Sequence, residues 1–197
     1  LPAERRRDYS GTQPELAGRR VLVVDDNATN RRVLGLQTGK WGMHVRATES
    51  PREALRWLEG GEAFDIAVIT VPTPLHESQP DLSYIESAAL DIAPHLTCGA
   101  TVILESTTYP GTTDELLIPL LEAGSGLVAG ADFSVGYSPE RIDPGNRTWT
   151  FTTTPKVVSG LDEQSLARVA AFYSSIVERT VAVSSMRSAE MAKLLEN

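Results

Sequence analysis

The stretch Val21-Leu-Val-Val-Asp-Asp26 indicates the fold class of this 197-residue chain. Four consecutive apolar residues that end in two carboxylates are typical of a strand buried inside a parallel sheet. Segments with helical periodicity separate this run from similar apolar runs, which lie at 44–48, 66–71, 101–105, 132–136, 156–158 and 180–183. This alternation predicts an α/β fold.

The alternation predicts three layers, with helices on both faces of a doubly wound, mostly parallel sheet. Residues 1–18 are polar and contain Arg5-Arg-Arg7, so we expect a flexible leader followed by a single domain over 19–197. Ligands of such sheets bind at the carboxyl ends of the strands. The loops of interest are therefore those at 25–30, 70–80, 105–113 and 136–147.

Composition narrows the classes of function. Lys and Arg total 18 against 26 for Asp and Glu, which gives a net charge of −8 and argues against nucleic acid as a partner. No apolar run reaches the ~18 residues of a membrane span. The lone Cys98 excludes an intrachain disulfide and a multi-cysteine metal site. We expect a cytoplasmic location without contact with a membrane.

Four motifs lie within residues 18–69. They are Gly18-Arg-Arg-Val-Leu-Val-Val-Asp-Asp-Asn-Ala-Thr-Asn-Arg-Arg-Val-Leu34, Trp41-Gly-Met43, Glu53-Ala-Leu55 and Phe64-Asp-Ile-Ala-Val-Ile69. Together they resemble the first half of a response-regulator receiver domain of the hybrid sensor kinase type. That resemblance implies a flavodoxin-like fold for this part of the chain.

The sequence after residue 70 contains a different set of motifs. Its motifs are Val71-Pro-Thr-Pro-Leu75, Pro80-Asp-Leu-Ser-Tyr-Ile-Glu86, Glu105-Ser-Thr-Thr-Tyr-Pro-Gly-Thr-Thr113, Tyr137-Ser-Pro-Glu-Arg-Ile-Asp-Pro-Gly-Asn146, Pro155-Lys-Val-Val-Ser-Gly160 and Ala189-Glu-Met-Ala-Lys-Leu-Leu-Glu-Asn197. Residues 71–197 resemble the second half of the NAD-binding domain of UDP-glucose and UDP-N-acetylhexosamine 6-dehydrogenases. That resemblance implies a Rossmann-like fold, the cofactor NAD and a nucleotide-sugar substrate.

The change of resemblance falls near Ile69–Val71, in the third predicted strand. Strand three of a receiver and strand four of a dinucleotide-binding sheet occupy equivalent places beside strand one. We therefore interpret the chain as an engineered chimera, a recombined scaffold with a receiver-like half at 19–70 and a dehydrogenase-like half at 71–197. The expected hybrid is flavodoxin-like and Rossmann-like, with strand order 2-1-3-4-5-6 plus an edge strand.

The receiver-like half lacks the means for phosphotransfer. Asp25 and Asp26 supply an acidic pair that could hold Mg²⁺, but the resemblance places the phosphoacceptor at Thr70, which is not a carboxylate. Without an acceptor carboxylate no acyl phosphate forms. The competing interpretation of Asp25 and Asp26 is a solvated acidic corner.

The dehydrogenase-like half lacks the glycine-rich turn that lets a diphosphate approach a helix N-terminus. The turn after strand one has Asp25 and Asp26 instead, and their charges repel a diphosphate. The glycines in 124–130 follow a helix, which favours a helix end and a turn. We therefore expect no cofactor, with NAD or Mg²⁺ bound weakly at most.

The dehydrogenase resemblance assigns vestigial roles to individual residues. It implies that Thr107 positions water near the nicotinamide, that Glu140 is an acid or base, and that Lys193 stabilises an oxyanion. It places further catalytic and cofactor contacts at Asn197, Pro72, Thr73 and Ser106. The nucleophilic cysteine of the family lies in a later domain, and Cys98 is not a substitute for it, so we do not expect an enzyme.

The leading hypothesis is therefore a scaffold without a required partner. One alternative is a residual NAD- or UDP-sugar-binding domain of a nucleotide-sugar dehydrogenase, which would bind through the loops at 105–113 and 136–147. A second alternative is a degenerate receiver-like signalling module that binds Mg²⁺. The helix at 188–197 presents Met191, Leu194 and Leu195, so a weak homodimer through this helix is a further expectation.

Overall fold

The computed structural model describes residues 11–24, 28–76, 79–140 and 152–196. The strands are β1 Arg20–Val24, β2 His44–Thr48, β3 Ile66–Ile69, β4 Leu75–His76, β5 Gln79–Pro80, β6 Thr101–Leu104, β7 Ser134–Tyr137, β8 Lys156–Gly160 and β9 Thr180–Ala182. The apolar runs of the sequence thus form seven of these nine strands, all except β4 and β5, as predicted.

The helices are α1 Ala28–Lys40, α2 Pro51–Glu59, α3 Ser83–Ile92, α4 Ile118–Ser125, α5 Glu163–Ser174 and α6 Met186–Glu196. Pro51 begins α2 at a position where its missing N–H is not needed, and Ser50 caps that helix through the Glu53 amide. Gly126 ends α4 in the left-handed conformation, with φ of 71°. The interpretation of the glycines in 124–130 as a helix end and turn is therefore confirmed.

The strands form two principal sheets. β1 pairs with β2 in parallel, and a five-stranded sheet has the order β3-β6-β7-β8-β9. Within the larger sheet β3, β6 and β7 are parallel, β8 is antiparallel to β7, and β9 is parallel to β8. The fold is thus α/β and Rossmann-like with mostly parallel strands, as predicted.

Helices cover both faces of the five-stranded sheet. Val102 and Leu104 of β6 pack on the face that contains α3, α4 and α6, whereas Ile103 packs on the face that contains α5. Alternate residues of one buried strand therefore belong to two cores, because side chains alternate across a strand. This three-layer arrangement agrees with the sequence prediction.

The predicted single sheet differs from the structure at one junction. No hydrogen bond between β1 and β3 is found in the described ranges, and the two strands face each other across a cleft of about 320 Å³. The Arg20 amide donates instead to the Asp65 carboxylate at 3.2 Å. Apolar side chains line the cleft, among them Leu22, Met43, Phe64, Ile66 and Leu96.

The predicted leader is partly incorporated into the core. Leu16 is 2% exposed and packs with Trp41 and Met43, so residues 11–18 are not a free arm. The Gln13 amide donates to the Trp41 carbonyl at 3.0 Å, which extends this contact through the backbone. Residues 1–10 lie outside the described ranges. The sequence pattern did not predict this packing.

Two further features were not predicted. β4 and β5 form a short antiparallel hairpin in the loop after β3. A π-helical turn, Thr113–Leu117, directly precedes α4. None of the described helices combines the length and the apolar character that a membrane span requires.

Candidate functional site

Hydrogen bonds join the loops that follow β3 and β6. The Ser106 hydroxyl donates to the Val71 carbonyl at 2.6 Å, and the Thr73 hydroxyl donates to the Thr107 carbonyl at 2.7 Å. Because β3 and β6 are parallel, both loops leave the sheet at the same edge. Here "carboxyl edge" means the edge formed by the carboxyl ends of β3, β6 and β7.

A buried charged network lies at the carboxyl edge. Lys156 is the first residue of the antiparallel β8, so it meets the edge at which Glu105 follows β6. Lys156 Nζ lies 2.8 Å from Glu105 Oε1 and 3.4 Å from Glu140 Oε2. The side chains of Lys156, Glu105 and Glu140 are 5%, 13% and 43% exposed. Only Glu140 is thus substantially open to solvent.

Tyr173 of α5 completes this network. Its hydroxyl donates to Glu105 Oε1, and Lys156 Nζ lies 5.0 Å from the centre of its ring. Burial, and next the Glu105 carboxylate, raise the pKa of Tyr173 well above its usual range. Tyr173 therefore remains a neutral hydrogen-bond donor at physiological pH.

Serine hydroxyls fix the end of β7. Ser138 donates to the Val157 carbonyl at 2.7 Å, and Ser159 donates to the Tyr137 carbonyl at the same distance. The Tyr137 hydroxyl reaches the Ser106 carbonyl at 3.3 Å. Burial raises the pKa of Tyr137, with smaller contributions from the carboxylates of Glu190 and Glu105. The three strand ends are thus linked through neutral hydroxyl groups.

Glu190 of α6 connects that helix to the loop after β6. Its fully buried carboxylate accepts hydrogen bonds from the Gly111 amide at 2.6 Å, the Thr113 amide at 2.9 Å and the Thr113 hydroxyl at 2.6 Å. Burial raises the pKa of Glu190, although these donors oppose the shift. No side-chain hydrogen bond from Thr112 caps the π-helical turn, and Glu190 supplies the acceptor instead.

The structure brings together some of the predicted site residues. Thr73, Ser106 and Thr107 meet through the bonds between the two loops, and Glu140 meets Lys156. Pro72 is exposed beside them, and Thr70 is exposed after β3. Lys193 is half-buried on α6.

Other predicted residues cannot be placed. Asp25, Asp26 and Asn197 lie outside the described ranges, so the acidic pair proposed for Mg²⁺ has no structural account. Within those ranges, His, Cys, Asp and Glu form no group of three that could hold a metal ion.

Sequence reasoning overlooked Glu105, Lys156, Tyr173 and Glu190 as parts of the site. Glu105, Lys156 and Glu190 stand inside motifs quoted above, but none of the four residues has a spacing that indicates a functional site. Their partners lie between 16 and 79 positions away in the chain, so only the folded arrangement reveals them.

Comparison with known families shows which protein family shares the loops at the carboxyl edge. A sequence model of the UDP-glucose/GDP-mannose dehydrogenase family, NAD binding domain, matches residues 54–177. The matched range contains the loops after β3, β6 and β7, together with Lys156 and Tyr173.

Individual proteins agree with the family match. The chain is 47% identical over 135 residues to protein CapL of Staphylococcus aureus, covering 68% of this chain and 32% of that protein. It is 35% identical over 188 residues to the UDP-N-acetyl-D-glucosamine 6-dehydrogenase of Salmonella typhi, covering 91% and 44%. The solved UDP-N-acetyl-mannosamine dehydrogenase Cap5O of Staphylococcus aureus superimposes with a TM-score of 0.72 at 27% identity, covering 96% and 46%.

These matches correct the interpretation of the chain as an engineered chimera. The family match runs through the supposed junction at Ile69–Val71, and the Salmonella protein aligns with 91% of the chain. No comparison supports a receiver domain. The chain spans less than half the length of each of these relatives.

Two further expectations are wrong. We expected no enzyme, but several relatives are named dehydrogenases, and this chain matches the NAD-binding domain of that family. We expected no cofactor, but the matching family domain is one that binds NAD. The family match begins at residue 54, so it does not depend on the turn at Asp25 and Asp26, on which the expectation of no cofactor rested.

Proposed function

This chain belongs to the UDP-glucose/GDP-mannose dehydrogenase family, and we propose that it is the NAD-binding part of a UDP-sugar dehydrogenase. The observation that carries the proposal is the family match over 54–177, which contains the loops at the carboxyl edge. In such an enzyme NAD accepts a hydride from the sugar alcohol when it is bound. The chain covers 32% of the length of the first of these relatives and 44% of the second, so the activity of a whole dehydrogenase is part of the proposal.

The residues at the carboxyl edge fit the nicotinamide end of NAD. Val71, Thr73, Ser106 and Thr107 form one linked surface of hydroxyls and backbone. Thr108 is buried behind this surface, where its side chain interacts with the Tyr137 hydroxyl. Uncharged donors and acceptors of this kind suit a neutral amide and a ribose.

The diphosphate end of NAD has less support in this chain. Asp25 and Asp26 follow β1, where a diphosphate would lie, and their charges oppose its binding. We therefore assign the favourable part of cofactor binding to the loops after β3, β6 and β7. On this assignment the affinity for NAD rises as salt screens the two carboxylates.

Individual residues receive the following roles in the proposal. Pro72, Thr73, Ser106 and Thr107 shape the nicotinamide side, and Thr107 contributes a hydroxyl that can orient water. Glu140 is the only carboxylate of the buried network that is substantially exposed, so it is the group that can exchange a proton with a substrate. Lys193 and Asn197 would act nearer the sugar, with Lys193 facing developing negative charge.

Removal of one hydroxyl tests the proposal. Thr107→Val keeps the shape of the side chain and removes its hydroxyl, so we expect about a three- to tenfold weaker affinity for NAD⁺. Calorimetric titration measures the affinity, and thermal unfolding checks the fold. Thr97→Val is the matched control, because Thr97 is exposed before β6, at the opposite edge. Equal affinities of the two variants would contradict the assignment of Thr107.

Other expectations accompany this proposal. The sugar is taken to be a UDP-N-acetylhexosamine because the named relatives act on such sugars. The cytoplasmic location, the absence of a nucleic-acid or membrane partner, and the homodimer through Met191, Leu194 and Leu195 stay predictions. These three side chains are exposed on α6.

A further inference from the structure

The network at the carboxyl edge contains one cation, Lys156, to which the proposed function gives no role. Lys156 Nζ lies between the buried Glu105 carboxylate and the exposed Glu140 carboxylate, at 2.8 and 3.4 Å. A buried ammonium group needs acceptors for its protons, because a buried charge left unpaired is strongly destabilising. The two carboxylates therefore fix the position of Lys156.

Regular structure fixes the other members of the network more firmly than Glu140. Glu105 directly follows β6, Lys156 begins β8 and Tyr173 belongs to α5. The Tyr173 hydroxyl donates to Glu105, and its ring faces the ammonium group. Glu140 follows β7 by three residues and stands outside any strand or helix. The rigid part of the network can therefore determine where the Glu140 carboxylate lies.

We propose that Lys156 is a positioning residue for Glu140, and that Glu105, held by Tyr173, is the counter-charge that keeps Lys156 in place. This inference rests on the proposed function, because the role of Glu140 toward NAD and substrate belongs to that proposal. Lys156 does not itself touch the ligand. It orders the Glu140 carboxylate before the ligand arrives, which lowers the entropic cost of binding.

A purely structural role for Lys156 makes different predictions. In that case Lys156 neutralises Glu105 inside the fold, and its contact with Glu140 at 3.4 Å is incidental. Removal of Lys156 would then lower stability without changing ligand affinity in the folded fraction. The two accounts differ in whether Lys156 and Glu140 are energetically coupled.

The first test needs no ligand. In ¹⁵N spectra of the whole chain, a buried and paired Lys156 ammonium exchanges slowly with water and gives its own resonance. We expect Glu140→Gln to shift that resonance and speed its exchange, while Glu163→Gln, a matched change at an exposed position of α5, leaves it unchanged. A Lys156 resonance that is the same in wild type and Glu140→Gln would overturn the proposal.

The second test measures coupling in NAD⁺ binding by calorimetry. We expect Lys156→Met and Glu140→Gln each to weaken binding about tenfold, and the double variant to weaken it no further. Lys156→Arg, which keeps the cation, should recover most of the affinity. Additive losses, or an unchanged affinity in folded Lys156→Met, would overturn the proposal.

Two controls keep the outcomes separate. Lys156→Met could fail to fold because Glu105 loses its counter-charge. In that case the double variant Lys156→Met, Glu105→Gln, which removes both charges, takes the place of Lys156→Met in the binding measurements. If the wild-type chain binds no NAD⁺, the proposed function fails, while the ammonium resonance still decides whether Lys156 positions Glu140.

Discussion

Glu190 illustrates, at the scale of single residues, how a buried carboxylate serves as a remote cap. Its two oxygens accept three hydrogen bonds from Gly111 and Thr113, at the start of the π-helical turn before α4. The unpaired amides at a helix start attract negative charge. Arg187, one turn earlier in α6, adds ion pairs to Asp114 and Glu115. Together these contacts join α6 to the loop that contains Thr107.

Removing this carboxylate should weaken the fold. Glu190→Ala leaves buried donors of Gly111 and Thr113 without acceptors, so we expect a loss of about 2–5 kcal/mol in the free energy of unfolding. Urea denaturation measures the loss. Glu86→Ala, an exposed change on α3, is the matched control and should cost less than about 0.5 kcal/mol. A loss as small in Glu190→Ala as in this control would contradict the capping role.

The loss should depend on pH in a defined direction. Because burial raises the pKa of Glu190, its contribution to stability is fully present below its unfolded value, about 4.3. The contribution declines as pH rises through the raised folded value. We therefore expect Glu190→Ala to cost more at pH 5 than at pH 8, and an increasing cost toward pH 8 would contradict this assignment.

The sequence revealed some of these residues and not others. Thr107 and Glu140 could be chosen because they stand in recognisable motifs. Glu190 could not, because its partners lie 77 and 79 positions away and no local pattern marks a carboxylate that will be buried. The Lys156 network was not predicted either, because a single Lys at the start of a strand normally indicates a solvent-exposed residue.

At the scale of elements, α5 depends on the cap at Asp162. The Asp162 side chain accepts a hydrogen bond from the Ser165 amide at 2.7 Å. That bond, the largest of several from the helix start, lowers the pKa of Asp162. Because α5 supplies Tyr173 and packs on β7 and β8, its first turn supports the charged network from a distance.

Loss of this cap should shift stability in a pH-dependent way. Asp162→Ala should lower the free energy of unfolding by about 1 kcal/mol at pH 7, and Asp162→Asn, which keeps an acceptor, by less. The lowered pKa means that the charge-dependent part is present above the unfolded value of Asp and is lost as pH falls through the folded value. The gap between wild type and Asp162→Asn should therefore close under acid. A gap that widens on acidification would contradict the cap.

Element positions were the most predictable part of the fold. Apolar runs marked the strands because buried parallel strands need apolar residues on both faces. The β4-β5 hairpin and the π-helical turn were missed because each depends on contacts made elsewhere in the molecule. Their residues do not form a run with a period of their own.

At the scale of the whole molecule, the seam between β1 and β3 divides the sheet into two units. In the described ranges the backbone ladder does not cross this seam, whereas it continues from β3 through β9. Residues of β6 and β7 are fully or almost fully buried, but those of β1 are mostly half-buried or exposed. The two units should therefore differ in local stability.

Hydrogen exchange tests this difference. We expect backbone amides of β1 and β2 to exchange faster than those of β6 and β7, because opening at the seam breaks no ladder hydrogen bond. The measurement is mass spectrometry of peptides from each strand. Equal protection of all four strands would show that the seam is no weaker than the rest of the sheet.

The origin of the chain could not be read from its pattern alone. Doubly wound folds share alternating apolar strands and amphipathic helices, so one half of a receiver and one half of a dinucleotide-binding domain look alike at this level. Asp25 and Asp26 strengthened the receiver interpretation, but a family match that runs from residue 54 through the supposed junction removes the need for two origins.

The most direct test of the account is a calorimetric titration of the wild-type chain with NAD⁺. We predict saturable binding of about one equivalent, with a dissociation constant below about 1 mM. The loops after β3, β6 and β7 would then supply enough favourable contact despite Asp25 and Asp26. A chain that unfolds cooperatively but shows no saturable heat up to several millimolar NAD⁺ would contradict the claim that it is a functional NAD-binding domain.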